Sequence, residues 1–233
     1  MPFIDIHARV RSNVYVTADV CLTTFELIKP SELHFQAGQY LFLQASPRVV
    51  RAYSIASAPH EKNNIEFCVK RVEGGVASNF IWNLKEGDDV VLKGIFGRFV
   101  YKSDPQLEKI VMIGTGTGVA PLKSMIEFAL LNGEQRPIHL LFGEKTKSDL
   151  FYLDIFEDWH KRFSNFTYDL CTSRETLEGI YSGRVTGKLQ ELLPSTTKTS
   201  FYLCGGQAML KDAINILLQH QVPKETIYFE KFF

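Results

Sequence analysis

The chain has no surplus of either charge: 26 Lys and Arg balance 26 Asp and Glu among 233 residues, for a formal net charge of zero. It presents no bulk basic field to a polyanion, so nucleic acid is not expected as its main partner. Clustered cysteines are also missing. Cys21, Cys68, Cys171 and Cys204 form no C-x2-C pair and no ligand run for zinc or an iron-sulfur cluster, so no metal is expected. The six histidines are scattered without metal spacing and read as ordinary surface or core residues. Nowhere is there a run of the roughly 18 apolar residues that would span a bilayer. The opening MPFIDIHARVRSN lacks the apolar stretch of a signal peptide. Together these absences point to a soluble, cytoplasmic protein with reduced thiols. No Gly-Lys-Ser/Thr follows a glycine loop, which excludes a P-loop phosphotransferase.

What is present comes in two rhythms. From Phe3 to about Tyr101 the text is short period-2 runs rich in Val, Ile, Phe and Tyr, such as FIDIHARV, YLFLQA, IEFCVKRV and DVVLKG. Turn clusters separate them, and six or more antiparallel strands suggest a small barrel. Only Val76 to Leu84 reads as a helix within this stretch. After Ser103-Asp104-Pro105-Gln106 the pattern becomes strand, helix, strand, helix. KIVMIG (109–114) is a near-continuous apolar run, as a strand buried on both faces should be. The following helix places Leu122, Met125, Ile126, Ala129 and Leu130 at three- and four-residue spacing. A further helix is expected over 149–163, with Trp159 in the core. The fold class expected is thus an N-terminal antiparallel six-stranded β-barrel followed by a C-terminal α/β domain with a parallel sheet, the boundary falling near 104–107.

Three motifs carry candidate chemistry. Gly114-Thr115-Gly116-Thr117-Gly118-Val119-Ala120-Pro121 lies between a buried strand and an amphipathic helix. Its glycines let backbone approach a ligand, and Pro121 in the first turn leaves free N–H groups facing an anion such as a pyrophosphate. It departs from the G-x-G-x-x-G spacing, because Pro121 stands where the last glycine would be; the competing reading is a turn needed only for packing. Arg51-Ala52-Tyr53-Ser54 is the second. Period 2 sends Arg51 and Tyr53 to one face and Ser54 to the other unless the strand ends there. An Arg can fork onto phosphate and a Tyr can stack on a planar ring, yet such a pair also serves as cross-strand packing. The third is Gly74-Gly75-Val76-Ala77-Ser78-Asn79, either a second phosphate seat or a hairpin exit with a capped helix.

In this order and these two rhythms, the motifs resemble the ferredoxin-NADP reductase superfamily over almost the whole chain. Its barrel signature Arg-x-Tyr-Ser followed by Gly-x-x-Ser matches Arg51, Tyr53, Ser54 and Gly75, Ser78. Its Gly-Thr-Gly-x-x-Pro matches Gly116, Thr117, Gly118 and Pro121, with a late Cys204-Gly205-Gly206 and an acidic, aromatic tail of Glu230, Phe232 and Phe233. The resemblance implies a flavin-binding domain over 1–105 and an NAD(P)H-binding domain over 106–233, with hydride passing from nicotinamide to flavin. It implies that Arg51 neutralises flavin phosphate, Tyr53 stacks on the isoalloxazine and Ser54 lies near the reactive nitrogen. Gly75, Val76 and Ser78 hold the pyrophosphate end, which favours FAD, with FMN as the alternative. Gly116, Thr117, Gly118, Pro121 and Gly205 face the nicotinamide cofactor, with Cys204 and Glu230 beside the nicotinamide and Phe232 and Phe233 covering the ring. Ser173 and Arg174 resemble the pair that grips a 2′-phosphate, and Arg184 follows close behind; NADH and NADPH both stay open.

The activity expected from the resemblance is NAD(P)H-dependent flavin oxidoreduction, catalysed mainly by positioning, with Ser54, Cys204 and Glu230 as catalytic residues. No ferredoxin segment is found in the chain, so the electron acceptor is expected outside it: free flavin, a ferredoxin or a partner oxygenase. The alternative is a non-catalytic electron-transfer or nucleotide-binding subunit of a larger complex.

Overall fold

The computed structural model describes residues 4–193 and 198–232. It divides into two compact units, Met1–Tyr101 with Lys123–Ala129, and Lys102–Leu122 with Leu130–Phe233.

The first unit is built on strands β1 (Asp5–Tyr15), β2 (Val20–Lys29), β3 (Tyr40–Ser46), β4 (Val49–Ser54), β5 (Asn64–Lys70) and β6 (Asp89–Phe96), with helix α1 (Val76–Trp82) between the last two. They form one antiparallel sheet in the order β4-β3-β6-β1-β2-β5. Alternation does what the sequence pattern predicts. Ile6, Ala8 and Val10 of β1 turn inward and meet Phe25, Leu41, Leu43, Ile65, Phe67 and Leu92 in a common core. Burying one such large side chain contributes about 1.5–3 kcal/mol.

The expectation of a barrel needs correction, because this sheet is not closed. Between its end strands β4 and β5, the described residues show the isolated bridge Ile55–Phe67 and the bond from Ala56 N–H to the Glu66 carbonyl at 2.8 Å, rather than a ladder. β4 stops at Ser54, and Pro59, which has no N–H to give a ladder, follows soon after.

In the second unit β7 (Lys109–Thr115), β8 (Ile138–Glu144), β9 (Phe166–Thr172), β10 (Tyr181–Ser182), β11 (Thr199–Gly206) and β12 (Ile227–Phe232) pair in parallel. Their order is β10-β9-β8-β7-β11-β12. β7 and β11 are buried almost throughout, as strands covered on both faces must be. One face packs Val111, Ile113, Leu141, Phe201 and Leu203 against helices α4 (Val185–Leu192) and α5 (Gln207–Gln219). On β8 and β9, Phe142 and Phe166 meet Phe156 and Trp159 of helix α3 (Leu153–Arg162), so Trp159 is core. Helix α2 (Val119–Leu131) follows β7. The helix expected over 149–163 starts later than predicted. Thr146 and Asp149 cap a separate short turn, and Tyr152 then takes a left-handed backbone (φ 61°) that sets α3 off from it.

The chain runs outward from β7 through β8, β9 and β10, then returns to the opposite side of β7 with β11. This reversal makes the carboxyl ends of β7 and β11 the switch point of the sheet, where open α/β folds bind ligands. Among the described residues no helix is long and apolar enough to cross a membrane.

Candidate functional site

At the switch point the glycine loop and the end of β11 are pressed together. A Cβ on Gly118 would lie 2.5 Å from the Cys204 carbonyl oxygen and 2.8 Å from Gly205 Cα, and these are backbone atoms that cannot swing aside. A side chain on Gly205 would strike Thr115 Oγ1. Gly116 adopts φ 58°, a left-handed turn that glycine enters without steric cost. The loop thus folds as a tight 3-10 turn over Gly116–Gly118, leading directly into α2 with Pro121 in its first turn. The amides at the start of α2 are left without internal acceptors, as at any helix beginning.

The register of the parallel strands sets the neighbours of this loop. Cys204 is level with Gly114 of β7 on one side and with Glu230 of β12 on the other; Gly206 is level with Phe232. Cys204 is fully buried, and burial, reinforced by the Glu230 charge, holds its thiol well above the usual value. Its thiol therefore stays protonated at neutral pH. Phe232 is half-buried at the end of β12, and Phe233 lies outside the described residues.

Beside the loop lies a cleft of about 300 Å³, lined among others by Thr115, Glu144, Lys145, Ser173, Arg184 and Asp212. Ser173 and Arg184, both singled out from sequence, meet here. Arg174 does not line the cleft; it is exposed, and its N–H donates to the Lys145 carbonyl at 2.9 Å. Thr115 belongs to the glycine loop singled out from sequence, whereas Glu144, Lys145 and Asp212 escaped it. Glu144 and Lys145 could have been found from their place at the carboxyl end of β8, once that strand is known to be parallel to β7.

In the first unit, β4 carries Arg51, Tyr53 and Ser54. Arg51 and Tyr53 face Leu43 and Leu41 across the ladder and so share a face, while Ser54 is level with Tyr40. Arg51 is exposed, its guanidinium donating to the Val50 carbonyl at 2.9 Å. Tyr53 stacks on Phe67 with ring centroids 5.5 Å apart; burial pushes its phenol up to about 12, with Arg51 pulling the other way. Ser54 is buried and ends the strand.

Helix α1 packs beside β3, β4 and β5. Gly75 precedes it, and a Cβ there would lie 2.7 Å from Ser78 Oγ. That hydroxyl is engaged within the turn, accepting from Val72 N–H at 3.1 Å and donating to the Gly75 carbonyl at 3.3 Å. Val76 is exposed at the first helical position. An exposed cation, a half-buried phenol, a buried hydroxyl and a side-chain-free turn form a donor set that fits a flavin nucleotide: cation and amides for phosphate, phenol for a planar ring. The glycine cradle of the second unit fits the pyrophosphate of a nicotinamide nucleotide for the same reasons.

Among the described residues, no group of three or more His, Cys, Asp or Glu could hold a metal ion, and the four cysteines are free and buried.

Comparison with known proteins agrees with this donor chemistry. The chain matches the oxidoreductase FAD-binding domain over residues 7–101 and the oxidoreductase NAD-binding domain over residues 112–215. It is 30% identical over 241 residues to the reductase component of propane 2-monooxygenase from Mycolicibacterium goodii, a match that covers 100% of this chain and 69% of that protein. It is 33% identical over 204 residues to the ferredoxin–NAD(P)(+) reductase component of the naphthalene 1,2-dioxygenase/salicylate 5-hydroxylase systems of Ralstonia sp, covering 87% and 61%. The crystal structure of the Amycolatopsis cytochrome P450 reductase aligns with a TM-score of 0.92 at 30% identity, over 99% of this chain and 70% of that one. A ferredoxin NADP+ reductase from Neisseria gonorrhoeae with bound FAD and NADP shares the fold, with a TM-score of 0.86, 21% identity and 100% coverage of both chains.

Proposed function

Because this chain belongs to the ferredoxin-NADP reductase superfamily, we propose a division of labour among its residues for the redox reaction of that family. The protein is an oxidoreductase with an FAD-binding and an NAD-binding domain, and it carries electrons from NADH or NADPH through flavin to a partner. The flavin domain is placed at residues 1–105 and the nucleotide domain at 106–233. In the first, Arg51 neutralises flavin phosphate, Tyr53 offers its ring face to the isoalloxazine, and Ser54 holds a hydroxyl toward it. Gly75, Val76 and Ser78 form the seat for the pyrophosphate end, Ser78 by shaping the turn. In the second, Gly116, Thr117, Gly118 and Pro121 hold the nicotinamide nucleotide, and Ser173, Arg174 and Arg184 meet its outer phosphate or ribose. Cys204, Gly205, Glu230 and Phe232 border the nicotinamide, the protonated thiol giving a neutral wall. Bound FAD would supply the electron-transfer chemistry; the chain's own contribution is to orient and to exclude water.

The observation that carries this reading is the closure of Gly118 onto the Cys204 carbonyl at the switch point, in register with Glu230. For the acceptor, we propose an oxygenase component, as the Mycolicibacterium relative is the reductase component of a monooxygenase. The test is to record the visible spectrum of the purified protein, release and identify its flavin, and add NADH and NADPH separately without oxygen. Bleaching by either nucleotide supports the reading, and failure of both to bleach bound or added FAD refutes it. A colourless protein that rapidly turns over added riboflavin or FMN would replace the oxygenase by free flavin as acceptor.

A further inference from the structure

Lys123 is buried, 6% exposed, yet it carries an ammonium whose N–H groups number three. The structure supplies a matching set of acceptors: the Ala56 carbonyl at 3.2 Å, Glu66 Oε1 at 3.4 Å and Glu127 Oε2 at 3.5 Å. Its neighbour Ser124, fully buried, donates from Oγ to the Ser57 carbonyl at 2.7 Å. All of these residues belong to the first unit. Glu66 of β5 grips the same two residues again, accepting from Ala56 N–H at 2.8 Å and donating its own N–H to Ser57 Oγ at 3.1 Å.

Apart from the ion pairs of Lys123 with Glu66 and Glu127, these bonds land on Ala56 or Ser57, the second and third residues after Ser54. Ile55, between them and Ser54, donates its N–H to the Gln39 carbonyl at 3.0 Å. Burying an ammonium is costly unless all its donors are matched, and an apolar residue of similar size commonly serves stability as well or better. Here the cation is shared between the carboxylates of Glu66 and Glu127 and the Ala56 carbonyl, which belongs to an irregular buried segment immediately beyond a strand end. A side chain held to within a fraction of an ångström needs its supporting backbone fixed by such a shell.

We propose that Lys123 and Ser124 are positioning residues for Ser54: they clamp the Ala56 and Ser57 carbonyls and thereby fix the end of β4 that aims the Ser54 hydroxyl at the flavin. The inference rests on the proposed role of Ser54 in flavin reduction.

The test uses the whole chain and the variants Lys123→Met, Ser124→Ala and Ser54→Ala, with the double variant Ser54→Ala/Ser124→Ala. Ser124→Ala removes a single hydrogen bond and keeps the proposal testable if Lys123→Met fails to fold. In flavin-free protein, amide hydrogen exchange at Ile55 and Ala56 is expected to rise on the order of tenfold while that of the β1 amides stays unchanged. In flavin-loaded protein, single-turnover reduction by the nicotinamide nucleotide should slow on the order of tenfold in Ser124→Ala. Adding Ser124→Ala to Ser54→Ala should then slow it no further, as expected of groups acting as one unit. Exchange that rises equally across the unit, or rate losses that multiply, would overturn the inference while leaving the role of Ser54 standing. Wild-type reduction by Ser54→Ala would instead overturn the reading of Ser54 itself.

Discussion

Gly118→Ala tests the nucleotide site at its tightest point. The added methyl would lie 2.5 Å from the Cys204 carbonyl oxygen, 2.7 Å from the carbonyl carbon and 2.8 Å from Gly205 Cα, whereas ordinary contacts of this kind begin at 3.4 Å. Since all three are backbone atoms of a buried strand, the loop itself must move by about 0.9 Å to reach that distance. Overpacking of this sort costs about 1–3 kcal/mol. A displacement near 1 Å in a positioning element lowers the rate on the order of a hundredfold. Thermal unfolding should therefore shift down by several degrees, and kcat/KM for the nicotinamide nucleotide should fall on the order of a hundredfold. The visible spectrum and affinity of bound flavin should not change, because the clash lies wholly within the second unit. Gly206→Ala is the control: nothing stands within 4 Å of its Cβ, and φ is −66°, a value alanine adopts freely. It should be neutral or slightly stabilising, by about 0.4–1 kcal/mol. A Gly118→Ala protein with wild-type stability and wild-type kcat/KM would refute the argument that this glycine exists for close approach of loop and strand.

The roles on β4 should separate: Arg51→Ala, at an exposed position, changes stability by less than about 0.5 kcal/mol but weakens flavin binding, read by equilibrium dialysis. Ser54→Ala slows reduction more than it weakens binding, and equal effects on both quantities would contradict the split. Arg184→Ala should raise KM for the nucleotide with little change in kcat, as expected for loss of uniform binding; a fall in kcat alone would place Arg184 elsewhere in the cycle. Alkaline pH should destabilise the fold. Cys171 is pushed up to about 12 from an ordinary value of 9.0, and Tyr202 to about 12 from 10.0, chiefly by burial. Both groups keep their protons in the folded chain while the unfolded chain loses them, so their stabilisation is complete below pH 9 and is lost as pH rises toward 12. Each contributes a slope of up to about 1.4 kcal/mol per pH unit, and denaturant midpoints measured from pH 8 to 11.5 should show it, with a shallower slope in Cys171→Ala.

Local pattern and long-range geometry differ in how far they can be read from the chain. Period-2 alternation in β1 and the unbroken apolar run of β7 follow from which faces are buried, and both were legible. The glycine loop was legible as a tight turn from β7 into α2, since glycines permit the left-handed and close-packed backbone seen at Gly116 and Gly118. Closure of the first sheet was not, because it depends on whether β4 and β5 pair, and neither strand's own residues state its neighbour. The cleft residues Glu144 and Lys145 look like solvated charges until β8 is known to end beside β7. Lys123 is the clearest case: helical spacing assigns the core face of α2 to Leu122, Met125, Ile126 and Ala129, and a lysine beside them reads as a surface charge. Its burial is set by Glu66, 57 positions earlier in the chain, by Glu127 one turn on, and by the Ala56 carbonyl of an irregular segment. A pattern of side-chain polarity cannot register a demand made by main-chain carbonyls in another element, and functional support often takes this form. The residues that recognise a ligand announce themselves by type and spacing, whereas the residues that hold them still are recognised only by what they touch.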